Sequence, residues 1–149
     1  MVRGDELCFY YWGFKGTHEG LDYVGEYPNG TMVPDPSHDP DRSAICLAVL
    51  RRDGFISLDA GDTDGAIQTD LFKLAGSTLF VNVDTPKGEL RVEVLDGKDK
   101  VGARSEPLSG DLPGGQVKWA EGDIAKLKGQ TASLRFTLHN GRFYSYWLE

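Results

Sequence analysis

Side chains that can act as nucleophiles, bases or metal ligands are scattered along this sequence rather than grouped. The three histidines, His18, His38 and His139, lie far apart, and no His-X-His, Gly-X-Ser-X-Gly or phosphate-cradling glycine loop occurs. Nucleophilic and metal-dependent hydrolases need such groups side by side. A carboxylate pair of the glycosidase type stays open, because the fold could bring two of the 23 acidic residues together. The sequence therefore predicts no complete catalytic constellation.

Two acidic clusters have the oxygen-rich chemistry of a calcium site, which needs about six to eight oxygen ligands. Asp59, Asp62 and Asp64 are closely spaced, but the segment lacks the closing Glu of an EF-hand loop. The cluster at 35–41 is interrupted by prolines, which do not make its carboxylates converge. We expect solvated turns at both places, with structural calcium as the alternative and no other cofactor.

Aromatic and polar residues that share strands have the chemistry of a carbohydrate-binding surface. Such a surface needs flat rings to stack on sugars and polar groups to bond their hydroxyls. Alternation puts Tyr144 and Tyr146 on the face opposite Phe143 and Trp147, and we expect the latter pair to face the core. Plain packing is the alternative for each aromatic residue. The candidate carbohydrate-binding residues are Tyr144, Tyr146, Arg135, Arg91, Glu93, Asn82, Trp12 and Arg52.

The Arg51-Arg52-Asp53 segment has two interpretations. It ends a predicted strand and enters a turn, so a local salt bridge or an Asp turn cap explains it. A planar guanidinium also suits recognition of sugar hydroxyls or carboxylates. The turn interpretation is preferred, and Arg52 stays a candidate for ligand contact.

The recurring pattern along the chain is typical of strands, since aromatic and β-branched segments alternate with Gly, Asp, Asn and Pro. With 149 residues the chain is the size of one domain. We predict an all-β fold, an antiparallel β-sandwich of jelly-roll or concanavalin-like type with about nine strands. The predicted strands are 7–12, 44–51, 55–58, 66–74, 78–83, 89–95, 116–119, 132–138 and 143–148.

Alternation within these strands predicts which side chains meet. In strand 89–95 Leu90, Val92 and Val94 face inward, which turns Arg91 and Glu93 outward. Strand 132–138 turns Arg135 outward by the same rule. We therefore expect Arg135 beside Arg91 and Glu93 on a polar outer surface.

Turn residues predict the connections. Asn140-Gly141 predicts a final hairpin that pairs 132–138 with 143–148, and Pro86-Lys87-Gly88 predicts another turn. Residues 121–127 offer the one helical turn, which Gly129 ends. A Pro-rich and acidic stretch makes 14–43 a long surface loop within the single domain 1–149.

Charge and composition limit the partners. A net charge of −7 disfavours nucleic acid, whose phosphates attract Lys and Arg clusters. No apolar run approaches the roughly 18 residues that a membrane span needs. Cys8 and Cys46 lie in separate predicted strands, which favours two buried free thiols over a cross-strand disulfide.

Three stretches of the sequence resemble a known family. They are GDELCFYYWG at 4–13, LAVLRRDGFISLDAG at 47–61, and the ending with LRFTL at 134–138 and YSYW at 144–147. They are similar to the C-terminal β-sandwich region of bacterial proteins related to five-bladed-propeller glycoside hydrolases of the invertase and levanase type. The resemblance implies that 1–13 is a propeller-closing or linking strand. It also implies that the catalytic carboxylates lie on an upstream propeller, outside this chain.

These observations lead to an expected function and its alternatives. We expect a non-catalytic carbohydrate-binding or accessory module of a glycoside hydrolase, whose partners are an oligo- or polysaccharide and an upstream propeller. The alternatives are a purely structural domain that buttresses the propeller and a small glycoside hydrolase. As part of a polysaccharide-degrading enzyme, the chain would be extracellular or periplasmic.

Overall fold

The described part of the chain divides into two compact units. The computed structural model describes residues 1–14 and 43–149, and their packing separates Met1–Leu50 from Arg51–Glu149. The long loop predicted over 14–43 lies outside the described residues except for its two ends. Those ends, Phe14 and Ser43, belong to strands.

The first unit contains a three-stranded sheet in the order β1-β2-β3. Its strands are β1 (Val2–Arg3), β2 (Glu6–Phe14) and β3 (Ser43–Arg51). A tight turn joins β1 to β2, where Gly4 has a φ of +60° that favours glycine. Cys8 is buried, Cys46 is partly buried, and both are free thiols, so the prediction of burial is correct for Cys8 alone.

The second unit contains a nine-stranded antiparallel sheet that folds over on itself. Its strands are β4 (Leu58–Ala60), β5 (Gly65–Gln68), β6 (Phe72–Lys73), β7 (Leu79–Asp96), β8 (Val101–Ser105), β9 (Leu108–Gln116), β10 (Trp119–Glu121), β11 (Thr131–His139) and β12 (Gly141–Leu148).

Strand β7 is the centre of this sheet because its two halves pair with different neighbours. The first half pairs with β12 on one side and β9 on the other. The second half pairs with β11 and β8. The remaining strands extend the layers, with β4 on β12, β5 and β6 on β11, and β10 on β8.

The core lies between the two layers and follows the alternation of the strands. In β7 every second residue from Leu79 to Thr85 is buried, and the pattern resumes at Leu90 after a shift of one position. Strand β11 adds its own buried series, as predicted. The core side chains include Leu74, Leu79, Val81, Val83, Leu90, Val92, Val94, Ile124, Leu134, Phe136, Leu138 and Phe143.

The two layers meet at a corner where strands approach very closely. A Cβ at Gly88 would overlap the carbonyl oxygen of His139, and one at Gly141 would overlap the side chain of Thr85. The Thr85 hydroxyl donates to the Leu108 carbonyl at 3.3 Å, beside the irregular part of the β7–β9 ladder. Two glycines thus let β7 and the β11–β12 connection bend around each other.

Turns and one short helix complete the unit. Asp96 accepts from the amides of Lys98 and Lys100 at 2.8 and 2.9 Å, and these backbone bonds hold the pKa of its carboxyl below the ordinary value. The predicted helical turn is a 3₁₀ helix, Ile124–Leu127, capped by Asp123. No helix in the described part of the chain is long and apolar enough to cross a lipid bilayer.

The structure confirms the predicted class and corrects several elements. The fold is all-β, antiparallel and sandwich-like, with twelve strands among the described residues. Strands β8 and β9 were missed because both are short of β-branched residues and β9 contains several glycines. The predicted strand 55–58 is irregular up to Leu58, and 66–74 is divided between β5 and β6.

The turn predicted at Pro86-Lys87-Gly88 and the hairpin predicted at Asn140-Gly141 are both wrong. The first segment lies within β7, where it bends a continuous strand instead of ending it. Asn140 does have a φ of 44°, as a turn requires, but β11 and β12 do not pair with each other. Each pairs with one half of β7, because the chain changes layers at this connection.

Replacing Gly88 with alanine should destabilise the fold, because the new Cβ would overlap the His139 carbonyl at the corner. We expect the free energy of unfolding to fall by about 2–3 kcal/mol, the upper range for overpacking. Urea unfolding measures this difference. The matched control is Gly61→Ala, whose Cβ would meet nothing within 4 Å and which should change stability by less than about 0.5 kcal/mol. Equal losses in both variants would contradict a close approach at the corner.

Candidate functional site

The eight residues predicted to bind carbohydrate lie on separate surfaces. Asn82 and Tyr144 lie together on the outer face of β7 and β12, and Arg52 lies in the turn beside them. Arg91, Glu93 and Arg135 lie on the outer face of the other layer. Tyr146 lies on the inner face of β12, and Trp12 lies in the first unit.

A β-bulge in β12 separates the two tyrosines that alternation had placed on one face. Phe143 is opposite Val83 and Ser145 is opposite Asn82, so the register shifts at Tyr144. After the shift, Tyr146 is opposite the buried Val81, and its ring centroid lies 5.0 Å from that of Phe136 in the core. Tyr146 therefore lies on the inner face of β12 and not beside Tyr144, because a bulge reverses the alternation of every later residue, although 37% of Tyr146 stays exposed.

The same bulge turns Trp147 outward, although alternation had placed it in the core. Trp147 is opposite Phe80, and the two rings are nearly parallel, with centroids 5.4 Å apart and an interplanar angle of 10°. Gly114 leaves room for the far edge of the indole, since a Cβ there would lie 3.5 Å from it. Gln116, opposite Phe80 on β9, is exposed beside this pair. The result is a stacked aromatic pair with an amide at its side.

Arg51 is the residue that organises the polar end of this face, whereas the predicted contact residue is its neighbour Arg52. The guanidinium lies 4.9 Å from the centroid of the Tyr144 ring. It donates to the side chains of Asn82 and Asp111 and, at 3.2 Å, to the Val83 carbonyl. Only 18% of the Arg51 side chain is exposed, so the tyrosine, amide and carboxylate hold it in one orientation.

Asn82 connects this cluster to the Arg51–Asp53 turn. It is 1% exposed, and its Nδ2 donates to the Arg52 carbonyl at 2.6 Å. The Arg52 guanidinium lies 3.9 Å from Asp53, which agrees with the predicted local salt bridge. Arg52 therefore contributes to this cluster through its backbone carbonyl.

The register completes the outer face with charged side chains. Asp84 is opposite both Asp111 on β9 and Arg142 on β12. We call the whole surface the β7–β12 outer face. It consists of Arg51, Phe80, Asn82, Asp84, Asp111, Gln116, Arg142, Tyr144, Ser145 and Trp147.

The outer face of the other layer contains a ladder of alternating charges. Arg135 donates to Glu93 at 3.1 Å, as the sequence predicted, and Arg104 donates to the other oxygen of Glu93 at 2.9 Å. Gln68 accepts from Arg135, and Glu121 lies 3.6 Å from Arg104. These residues already bond one another across five strands, so the ladder fixes register more than it offers free groups.

Arg91 lies one row away from this ladder. It donates to Glu89 at 2.6 Å, and that hydrogen bond raises the pKa of the guanidinium. Its partner is a neighbour on its own strand rather than Glu93. Arg91 is therefore on the expected surface but outside the ladder.

The acidic residues near β4 and β5 engage different partners. Asp59 accepts from Ser57 at 2.6 Å, and Asp64 bonds Nδ1 of His139 at 2.8 Å. Among residues 1–14 and 43–149, no group of three His, Cys, Asp or Glu side chains is close enough to hold a metal ion. The cluster at 35–41 lies outside the described residues, as do His18 and His38. A structural calcium ion stays a prediction without support from these contacts.

Comparisons with known proteins do not assign this chain to a family. No protein-family model, no curated protein and no solved structure matches this chain. The resemblance to the sandwich region of propeller glycoside hydrolases therefore stays a prediction.

Replacing Asn82 with alanine should destabilise the second unit by about 2 kcal/mol, because it leaves the part-buried Arg52 carbonyl and Arg51 Nε without their Asn82 partners. Thermal and urea unfolding measure the change. The control is Ser145→Ala at the position opposite Asn82, where the buried Oγ has no hydrogen-bond partner among the described residues. That variant should be neutral or slightly more stable. A larger loss from Ser145→Ala than from Asn82→Ala would contradict this account of the face.

Proposed function

We propose that this chain is a non-catalytic β-sandwich module that binds carbohydrate on the β7–β12 outer face. The observation that carries the proposal is the nearly parallel Phe80–Trp147 pair, which lies on the same face as a preorganised polar cluster. The role as accessory to a glycoside hydrolase rests on the sequence resemblance.

The aromatic pair supplies the apolar part of sugar recognition. A pyranose ring has apolar faces formed by its C–H groups, and these pack on flat aromatic rings. Trp147 is partly exposed, and Phe80 supports one face of its indole. A ring held in this way loses little conformational entropy when a ligand binds.

The polar part supplies donors and acceptors for hydroxyl groups. Along β7, Phe80 and Asp84 are four residues apart, so the aromatic and charged rows are about 14 Å apart at ~3.4 Å per residue. Asp111 has a side chain that is 66% exposed and retains acceptor capacity beyond its bond to Arg51. The face therefore fits an extended ligand that is apolar at one end and hydrogen-bonded at the other.

Charge on this face favours a neutral sugar over an acidic one. Arg51 is already paired with Asp111, and Asp84 adds a second carboxylate in the same row. A uronic acid would place another carboxylate beside these two. Neutral fructans, xylans, mannans and β-glucans are the ligands to screen.

The open position of the carboxylates favours binding over hydrolysis. Asp84 and Asp111 are register partners, and directly opposite residues have Cβ atoms about 4.5–5.5 Å apart, near the separation of a retaining glycosidase. A general acid is typically buried in an apolar pocket that keeps it protonated. Asp111 is instead exposed and paired with a guanidinium.

Calorimetric titration of the protein with those polysaccharides tests the proposal. We expect weak, saturable binding to at least one of them, and Trp147→Ala should weaken it at least tenfold, about 1.4 kcal/mol. The matched control is Tyr146→Ala on the neighbouring residue, which faces the opposite side of the sheet and should leave affinity within about twofold.

Absence of binding to every polysaccharide by the folded protein would remove the carbohydrate proposal. Equal weakening by both variants would move the site away from the β7–β12 outer face. Release of reducing sugar that Asp111→Asn abolishes would identify a hydrolase instead.

A second candidate function, buttressing a propeller, draws on the first unit. Tyr10 is 60% exposed and Ile45 is 83% exposed, and Leu47 and Val49 share the face of Ile45 by alternation. Monomeric proteins seldom leave such a contiguous apolar sheet face in water. The resemblance of 4–13 to a propeller-closing strand makes a propeller the body that would cover it.

Co-expression with a five-bladed propeller encoded directly upstream tests this second role. We expect the two parts to copurify and Ile45→Lys to reduce recovery of the complex at least tenfold. Leu71→Lys, at an exposed leucine of the second unit, is the control and should leave recovery unchanged. Two parts that neither associate nor stabilise each other would exclude buttressing.

A further inference from the structure

The interior of the second unit is open along one side. The outermost strands of its two layers, β4 and β5, follow each other in the chain but do not pair with each other. Between them lies a pocket of about 300 Å³. Core residues form its floor, and inward residues of the two edge strands form its mouth. The floor consists of Leu90, Phe136, Leu138 and Phe143, and the mouth includes Leu58 and Ile67.

The mouth residues are directed into the sandwich and yet meet solvent. Leu58 is opposite Phe143, and Ile67 is opposite Phe136, so both share the inner face with those rings. Leu58 is nevertheless 50% exposed and Ile67 is 44% exposed. Inward-facing aliphatic side chains normally become buried when the layers close. Here the apolar interior itself is accessible from outside.

The floor of the pocket is aromatic and well packed. The rings of Phe136 and Phe143 stack with centroids 4.7 Å apart, and each is less than 10% exposed. A volume of about 300 Å³ is roughly twice that of an apolar cavity of ~150 Å³ that binds benzene. A phenyl ring with a short alkyl chain therefore fits, and the apolar walls favour such a body.

The one charged residue of the lining faces away from the pocket. Of the ten residues that line the pocket, Asp59 is the only charged one. Its carboxylate accepts from Ser57 and lies 4.0 Å from Arg142 Nε, with 61% of the side chain exposed. The Arg142 charge is already opposed by Asp59 and by its register neighbour Asp84. Asp59 is the register partner of Arg142, and Leu58 beside it faces the pocket, so the Asp59 carboxylate lies on the outer side of β4 and the apolar lining selects the ligand.

We propose that the pocket between β4 and β5 binds a small amphiphile, with a phenyl or short alkyl body against Phe136 and Phe143 and a head group that stays in solvent at the mouth. This site opens on the inner face of the sheets, whereas the β7–β12 outer face lies on the other side of β12. The two sites are independent, so each can fail without the other.

Three probes with one body and different heads test this proposal: 4-phenylbutylamine, 4-phenylbutanol and 4-phenylbutyrate. Titration is followed by NMR of methyl groups in the labelled full chain at low ionic strength. We expect saturable shifts of the Leu58, Ile67, Leu90 and Leu138 methyls with the amine and the alcohol. The butyrate should bind within about threefold of the alcohol, and Asp59→Asn should leave all three affinities within about twofold, because Asp59 faces the other side of β4.

Ile67→Asn should weaken the amine and the alcohol at least tenfold. The control is Leu71→Asn, because Leu71 has a similar exposure, 53%, and does not line the pocket. The wild-type methyl shifts locate the site even where a variant fails to fold. Unsaturable shifts, shifts elsewhere, or equal weakening by Leu71→Asn would overturn the proposal. Loss of amine binding in Asp59→Asn would overturn the assignment of binding to the apolar lining.

Discussion

The close approach of two backbones at one corner governs the architecture of the second unit. Strand β7 serves both layers, so it must bend between Thr85 and Leu90 while the β11–β12 connection passes beside it. Only a residue without a Cβ fits at Gly88 and at Gly141. Because the corner changes the phase of β7, buried positions move from odd to even numbers, and both halves direct aliphatic side chains into one core.

A single inserted residue then decides what the outside of the sheet presents. The bulge at Tyr144 turns Tyr146 to the inner face of β12 and Trp147 to its outer face. Without it, a tyrosine would replace the tryptophan that stacks on Phe80. The bulge also leaves Tyr144 under the guanidinium of Arg51. A local irregularity of the ladder thus brings the aromatic and polar groups of the β7–β12 outer face together.

The outer surface and the interior of the second unit differ in how completely their side chains are paired or packed. Across the Glu93 ladder, charges bond one another strand by strand, and this pattern fixes the register. The interior is sealed along most of its length and opens between β4 and β5, the ends of the two layers. Both proposed sites therefore lie where pairing or packing is incomplete: at exposed acceptors around the Arg51 cluster, and at the unpaired edge of the sandwich.

The sequence by itself determined the class of fold, the inward series of the second half of β7 and of β11, and the Arg135–Glu93 pair, because each depends on alternation within one strand. It did not determine which strands pair, since pairing depends on residues far apart in the chain. The Asn140-Gly141 signal is local and correct for the backbone angle, yet the layers decide the partners of β11 and β12. Tertiary structure decided that Trp147 and not Tyr146 lies on the outer face, that Arg51 organises the polar cluster, and that a pocket opens between β4 and β5. These features depend on a bulge, a cross-strand contact and an unpaired sheet edge, none of which produces a periodic pattern in the sequence.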